Sequence, residues 1–140
     1  MNSLPQPPPR EWHLTETYKG LLTLAVEGLK LLALVNGAAA VAVLTYLGSL
    51  VSHVSPGAAH PPNMIPAVAC YCWGVFASTM ALVLAYCTQL ILYNEELARH
   101  EGGPFQSRHQ RGIYLAVTLA ISAALSFGAG SLLAAFALSR

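Results

Sequence analysis

Few side chains in this sequence are equipped for chemistry, and their spacing decides what they could do. His53, His60, Cys70 and Cys72 form one group. Imidazole and thiolate together hold zinc or copper, so these four are a weak candidate metal site. Two features work against it. The histidines stand in a connection broken by Pro56, Gly57, Pro61 and Pro62 with no ligand-spacing motif, and Cys70 and Cys72, two positions apart on a helix, diverge by about 200°. Cys87 is a further turn-rich distance away, about 22 Å along a helix from Cys72, which excludes a bridge within one helix. No metal, cofactor or disulfide framework is expected.

A second group is polar but embedded in apolar sequence: Glu27, Lys30, Asn36, Tyr86 and Gln89. Glu27 and Lys30 have the i,i+3 spacing of a local ion pair. They are interfacial if the apolar crossing begins at Leu31, and intramembrane if it begins near Leu21, where charge is costly and marks function. Asn36 carries an amide that wants a partner on another helix, and Gly37 with Ala38 to Ala40 lets that helix come close. Tyr86 and Gln89 share a helix face. All five are candidates for interhelical contacts or for lining a small pore.

The third group is Glu95, Glu96, Arg99, His100, Arg108, His109 and Arg111, which lie in the connection 94–111. Glu95 with Arg99 and Glu96 with His100 are favourable i,i+4 pairs. The set suits head-group contact or a docking surface. No catalytic residue is assigned, because the sequence has no Asp, no GxSxG, no HExxH, no CxxC and no glycine-rich phosphate loop. An enzyme is disfavoured, and a lipid-modifying one is the least supported reading.

The elements that position these groups follow from the apolar runs. Leu31 to Leu50 is twenty residues without charge or proline, matching a hydrocarbon core of about 30 Å at 1.5 Å per residue. Two more such runs follow, at about 65–93 and 112–138. Charged residues are 9% of the chain and hydrophobic ones 55%, against about 25% charged in soluble domains, so an ordinary soluble fold is excluded. The net charge of +1 offers no basic face for a phosphate backbone, and nucleic acid is not an expected partner. The fold class is all-α: an integral membrane protein with three transmembrane helices, spanning about 17–50, 65–100 and 108–138.

Residues 1–14, with Pro5 and Pro7 to Pro9, are expected to form a disordered proline-rich tail ahead of one three-helix domain, 15–140. Asn63 is placed to cap the second helix, with Pro66 tolerated in its first turn. Gly102, Gly103 and Pro104 end its extension, and Ser107 with Gln110 has the form of a capping box for the third. Trp73 and Tyr93 suit outer and inner aromatic belts, whereas Tyr86 is deeper than a belt explains.

The third helix carries two ladders of small residues at intervals of four, Ala116, Ala120, Ala124, Gly128 and Thr118, Ser122, Ser126, Gly130. They lie about 160° apart, so two packed neighbours are expected, one from another subunit. Arg10 and Lys19 precede the first crossing, the first connection has no Lys or Arg, and the second has Arg99, Arg108 and Arg111. The positive-inside rule places the N-terminus in the cytoplasm and the C-terminus outside. The sequence therefore reads as a small self-assembling membrane protein, in a bacterial inner membrane, with a symmetric homo-oligomer as its default assembly. A pore for ions or small solutes is one functional extension. The alternative is a structural or accessory subunit docking on a larger membrane partner through its helices and the 94–111 loop.

Overall fold

The computed structural model describes residues 9–52, 62–100 and 109–139, with side chains placed for 13–52, 62–99 and 110–139. It is three helices in chain order: α1 (Pro9–Ser52), α2 (Ile65–His100) and α3 (His109–Leu138). All three are long and apolar enough to cross a membrane. Few residues are buried, while large side chains such as Leu24, Leu34, Ile65, Leu125 and Leu132 are more than half exposed along every helix. A water-soluble monomer does not carry apolar surface on that scale. Surrounding hydrocarbon removes the conflict.

The helix ends follow local chemistry. α1 reaches back to Pro9, so residues 9–14 are helical where a tail was expected. Proline suits a first turn, where its missing N–H has no intrahelical acceptor anyway and its φ is already helical. At the other end, Ser49 Oγ donates to Tyr46 O (2.8 Å) and Ser52 Oγ to Ser49 O (2.9 Å), serving the last turn's carbonyls. Asn63 caps α2 as expected, its Oδ1 accepting from Ile65 N at 3.2 Å. The Gly102–Pro104 stop and the Ser107 side of the capping box lie outside the described residues.

α2 and α3 share the most extensive interface; α1 packs chiefly on α2 and touches α3 over a short stretch. Met64, just ahead of α2, begins the row of its inward positions, which continues with Ala67, Tyr71, Gly74, Ser78, Ala81, Ala85 and Thr88 in alternating steps of three and four. Those of α3 run Gly112, Ala116, Leu119, Ala123, Ser126 and Gly130 in the same rhythm. A 3.5-residue repeat is the seam of shallow left-handed packing. The seam therefore draws on both small-residue ladders of α3 instead of following either, because steps of four alone drift around the helix. Ala124, Gly128 and Thr118 are left exposed, and a Cβ added at Gly128 meets nothing within 4 Å.

Candidate functional site

Asn36 is the point where the three helices meet. It is fully buried. Its Nδ2 donates to Leu32 O in its own helix at 2.9 Å and to Ala123 O in α3 at 3.4 Å. The amide fits only because the facing residue of α2 is Gly74: a Cβ there would collide with Asn36 Oδ1 and Cγ and stand 2.7 Å from Nδ2. Oδ1 packs on Gly74 without a hydrogen-bond partner. Next to it, buried Ser78 returns its hydroxyl to Gly74 O (2.8 Å) and Val75 O (3.0 Å). One turn of α1 further on, Ala40 joins Ala67 and Tyr71 in a small apolar core.

Two further polar side chains seat on glycines. Tyr71 lies across Gly130, its ring 2.8 Å from where a Cβ would be, and its hydroxyl reaches Ser131 Oγ at 3.2 Å. Thr88 lies on Gly112, where a Cβ would collide with Oγ1, and that hydroxyl donates to Leu84 O at 2.7 Å. Together they fix the register of the antiparallel pair, setting Tyr86 level with Tyr114 and Ile65 level with Phe136. Asn36 on Gly74, and Gly37 beside Val75, whose Cγ2 lies 3.8 Å from where a Gly37 Cβ would be, fix α1 against α2 in turn. Ala25 then stands at the level of Tyr86, and Tyr46 at the level of Ile65.

Trp73 is not a free belt residue. Its Nε1 donates to Ser122 Oγ at 2.9 Å, and its ring stacks obliquely on Phe76, centroids 5.6 Å apart. An indole N–H surrounded by apolar groups needs an acceptor, and Ser122 supplies it.

The remaining candidates are spread out. Lys30 Nζ pairs with Glu27 Oε1 at 2.8 Å, with both side chains about 60% exposed on the side of α1. Gln89 Nε2 donates to Tyr18 OH at 3.4 Å, bridging α2 to α1, whereas Tyr86 is exposed. The five polar residues thus do not converge. Arg99 pairs with Glu96, three residues back, at 3.7 Å, and Arg111 is exposed at the start of α3. The side chains of His100 and His109, and Arg108 altogether, lie outside the described residues. So do His53 and His60. Cys70 is half-buried and Cys72 exposed, both as free thiols, and no three His, Cys or Glu side chains come together among the described residues.

Between the N-terminal half of α1, the C-terminal half of α2 and the N-terminal half of α3 lies a partly open crevice of about 650 Å³. α1 contributes Tyr18, Leu22, Ala25, Gly28, Leu29 and Leu32; α2 contributes Ala85, Thr88, Gln89 and Leu92; α3 contributes Ile113, Ala116, Val117 and Ala120. The lining is almost wholly apolar, with its polar groups near one end.

Sequence reasoning passed over Gly74, Gly112, Ser78, Thr88 and Ser131. Glycine inside an apolar helix is the available signal, since it marks close approach, but its partner is settled only by register. No known protein family, curated protein or solved structure matches the chain. Fold and site together define a small all-helical protein with three membrane-spanning-like helices and no enzymatic motif.

Proposed function

We propose that this protein is a structural or accessory membrane subunit, a three-helix module that acts by lateral association in the bilayer, first of all with copies of itself. The observation that carries the reading is where the polar groups of the spans are used. Asn36, Tyr71, Trp73, Ser78 and Thr88 are each engaged with the chain's own helices, and the crevice between the helices is apolar. Among the described residues no row of polar groups is left to line a path through one chain.

The register supports one bilayer placement. Exposed Tyr86, read from the sequence as deeper than the belt, is level with exposed Tyr114 and is taken with it as one boundary, with Tyr46 and Phe136 at the other. The levels are about 32 Å apart on all three helices, matching a hydrocarbon core of about 30 Å. Arg10, Lys19, Arg99, Arg108 and Arg111 favour the Tyr86 side as cytoplasmic, which gives the inner-membrane orientation.

A pore formed between chains is the second reading, and the exposure of the Glu27–Lys30 pair is what favours it, since symmetric copies could turn these pairs onto a common axis. Native mass spectrometry from nanodiscs, followed by conductance in planar bilayers, separates the readings. A homo-oligomer or a mixed complex without conductance is the expected result. A ring whose conductance changes with Glu27→Gln would replace the structural reading by the pore, and a monomer with no bound protein would overturn both.

A further inference from the structure

The crevice between the three helices is apolar and partly open, and its position in the chain bears on what fills it. We propose that it is a binding site for one acyl chain of a cytoplasmic-leaflet phospholipid, with the ester and head-group region held at Gln89 and Tyr18. The proposal rests on the bilayer placement given above, but not on whether the assembly is structural or a pore.

Four observations converge. The first is size: about 650 Å³ lies within the range of roughly 300–1,000 Å³ that small-molecule sites occupy. The second is chemistry. Leu22, Leu29, Ala116 and Ala120 present hydrocarbon alone, and water gains no partners in such a space. Left empty, the lining side chains would forfeit their dispersion contacts. The third is depth. Leu32 and Ala120 mark the inner end, about 10 Å inside the Tyr86 and Tyr114 level, whereas Leu92 and Tyr18 mark the outer end, about 10 Å beyond it. The crevice therefore crosses the boundary between acyl chains and head groups, which lie in a layer several ångströms thick.

The fourth is the arrangement of polar groups. Thr88 is self-satisfied and closes the wall against Gly112. Gln89 and Tyr18, bonded to each other at 3.4 Å, stand beyond the boundary, where an ester carbonyl or phosphate oxygen belongs. The gradient from hydrocarbon to amide and phenol matches an amphiphile lying along the helices.

The test is photocrosslinking of the full-length protein in nanodiscs of phosphatidylethanolamine and phosphatidylglycerol doped with a phospholipid carrying a diazirine on its acyl chain. Adducts are mapped by mass spectrometry. The expected result is enrichment at Leu22, Leu29, Ala116 and Ala120 over the outward-facing Leu34 and Leu132, with loss of that enrichment by about tenfold in Ala120→Phe, which fills the crevice. Leu132→Trp, on the outer surface, leaves it unchanged. If Ala120→Phe fails to fold, competition on the wild-type protein decides: undoped phospholipid saturates a real site and suppresses its adducts before the surface ones. Adducts spread evenly over crevice and outer surface, or unaffected by both filling and competition, would show annular lipid only and overturn the proposal.

Discussion

The contact of Asn36 on Gly74 yields the most discriminating prediction, because its two halves should rescue each other. Gly74→Ala places a methyl group where the Asn36 amide now lies. Overpacking of this kind costs about 1–3 kcal/mol. If the amide is displaced instead, it loses its bonds to Leu32 O and Ala123 O and costs about 1–3 kcal/mol as an unsatisfied buried group. The better helix propensity of alanine returns at most about 1 kcal/mol. A net loss of about 1–2 kcal/mol is expected.

Asn36→Ala is milder. The carbonyls of Leu32 and Ala123 lie within helices and keep their backbone donors, and interhelical hydrogen bonds in membranes average about 0.6 kcal/mol. A small cavity brings the expected loss to about 1–2 kcal/mol. In the double variant the new methyl enters the space that the amide has left. Its loss should match Asn36→Ala alone, so the coupling restores what Gly74→Ala loses, about 1–2 kcal/mol. Reversible unfolding in mixed micelles, followed by helicity, measures each corner of the cycle. Additivity within about 0.5 kcal/mol would refute the reasoning, since it would mean that the two residues do not share one space.

Gly112→Ala should cost about 1–3 kcal/mol through collision with Thr88, and Thr88→Ala should relieve most of it in the same unfolding assay. Gly130→Ala should cost more than Gly112→Ala, because the rigid ring of Tyr71 cannot yield as a hydroxyl can. Gly128→Ala should leave monomer stability unchanged or slightly raised; if it alters the native mass of the assembly, that face meets another chain. Cys72 is exposed on the protein surface and the proposed placement sets it at hydrocarbon depth, so a membrane-impermeant maleimide should label it in detergent and not in intact vesicles. Rapid labelling in vesicles would refute the placement. Glu27→Gln or Lys30→Met should change monomer stability by less than about 1 kcal/mol, as expected of an exposed pair, and should show its effect in the distribution of native masses.

The helices were legible because their signal is cumulative: some twenty apolar residues in a row fix an element whatever its partners. Asn63 as a cap and Asn36 as a residue needing an interhelical partner were legible for the same local reason, an isolated polar group with an obligation to meet. The bond of Trp73 to Ser122 was not legible, because tryptophan serves equally at an interface or beside an internal acceptor, and Ser122 lies 49 residues away. The start of α1 was missed because a run of prolines reads as extended, although the last of them fits a first helical turn. The ladders of α3 were drawn at intervals of four, whereas two helices in contact select a repeat of 3.5. The crevice had no signature at all, since the same alanines and leucines would line a packed seam.

The register also bears on the one question that composition left open, the depth of Glu27 and Lys30. Fixed through Asn36 and Gly74, α1 brings Glu27 less than one turn inside the Tyr86 level and Lys30 about a turn and a half inside it. Side chains on a helix point toward its N-terminus, and for α1 that end is the charged, cytoplasm-assigned side. Both side chains are therefore directed out of the hydrocarbon by the backbone itself, and the long lysine stem covers much of the remaining distance. The contact of Lys30 Nζ with Glu27 Oε1, one turn back toward the N-terminus, follows the same direction. On this placement the pair needs no buried partner to be tolerated. The Asn36 amide then sits at the level of Gly74, whose missing Cβ leaves it room.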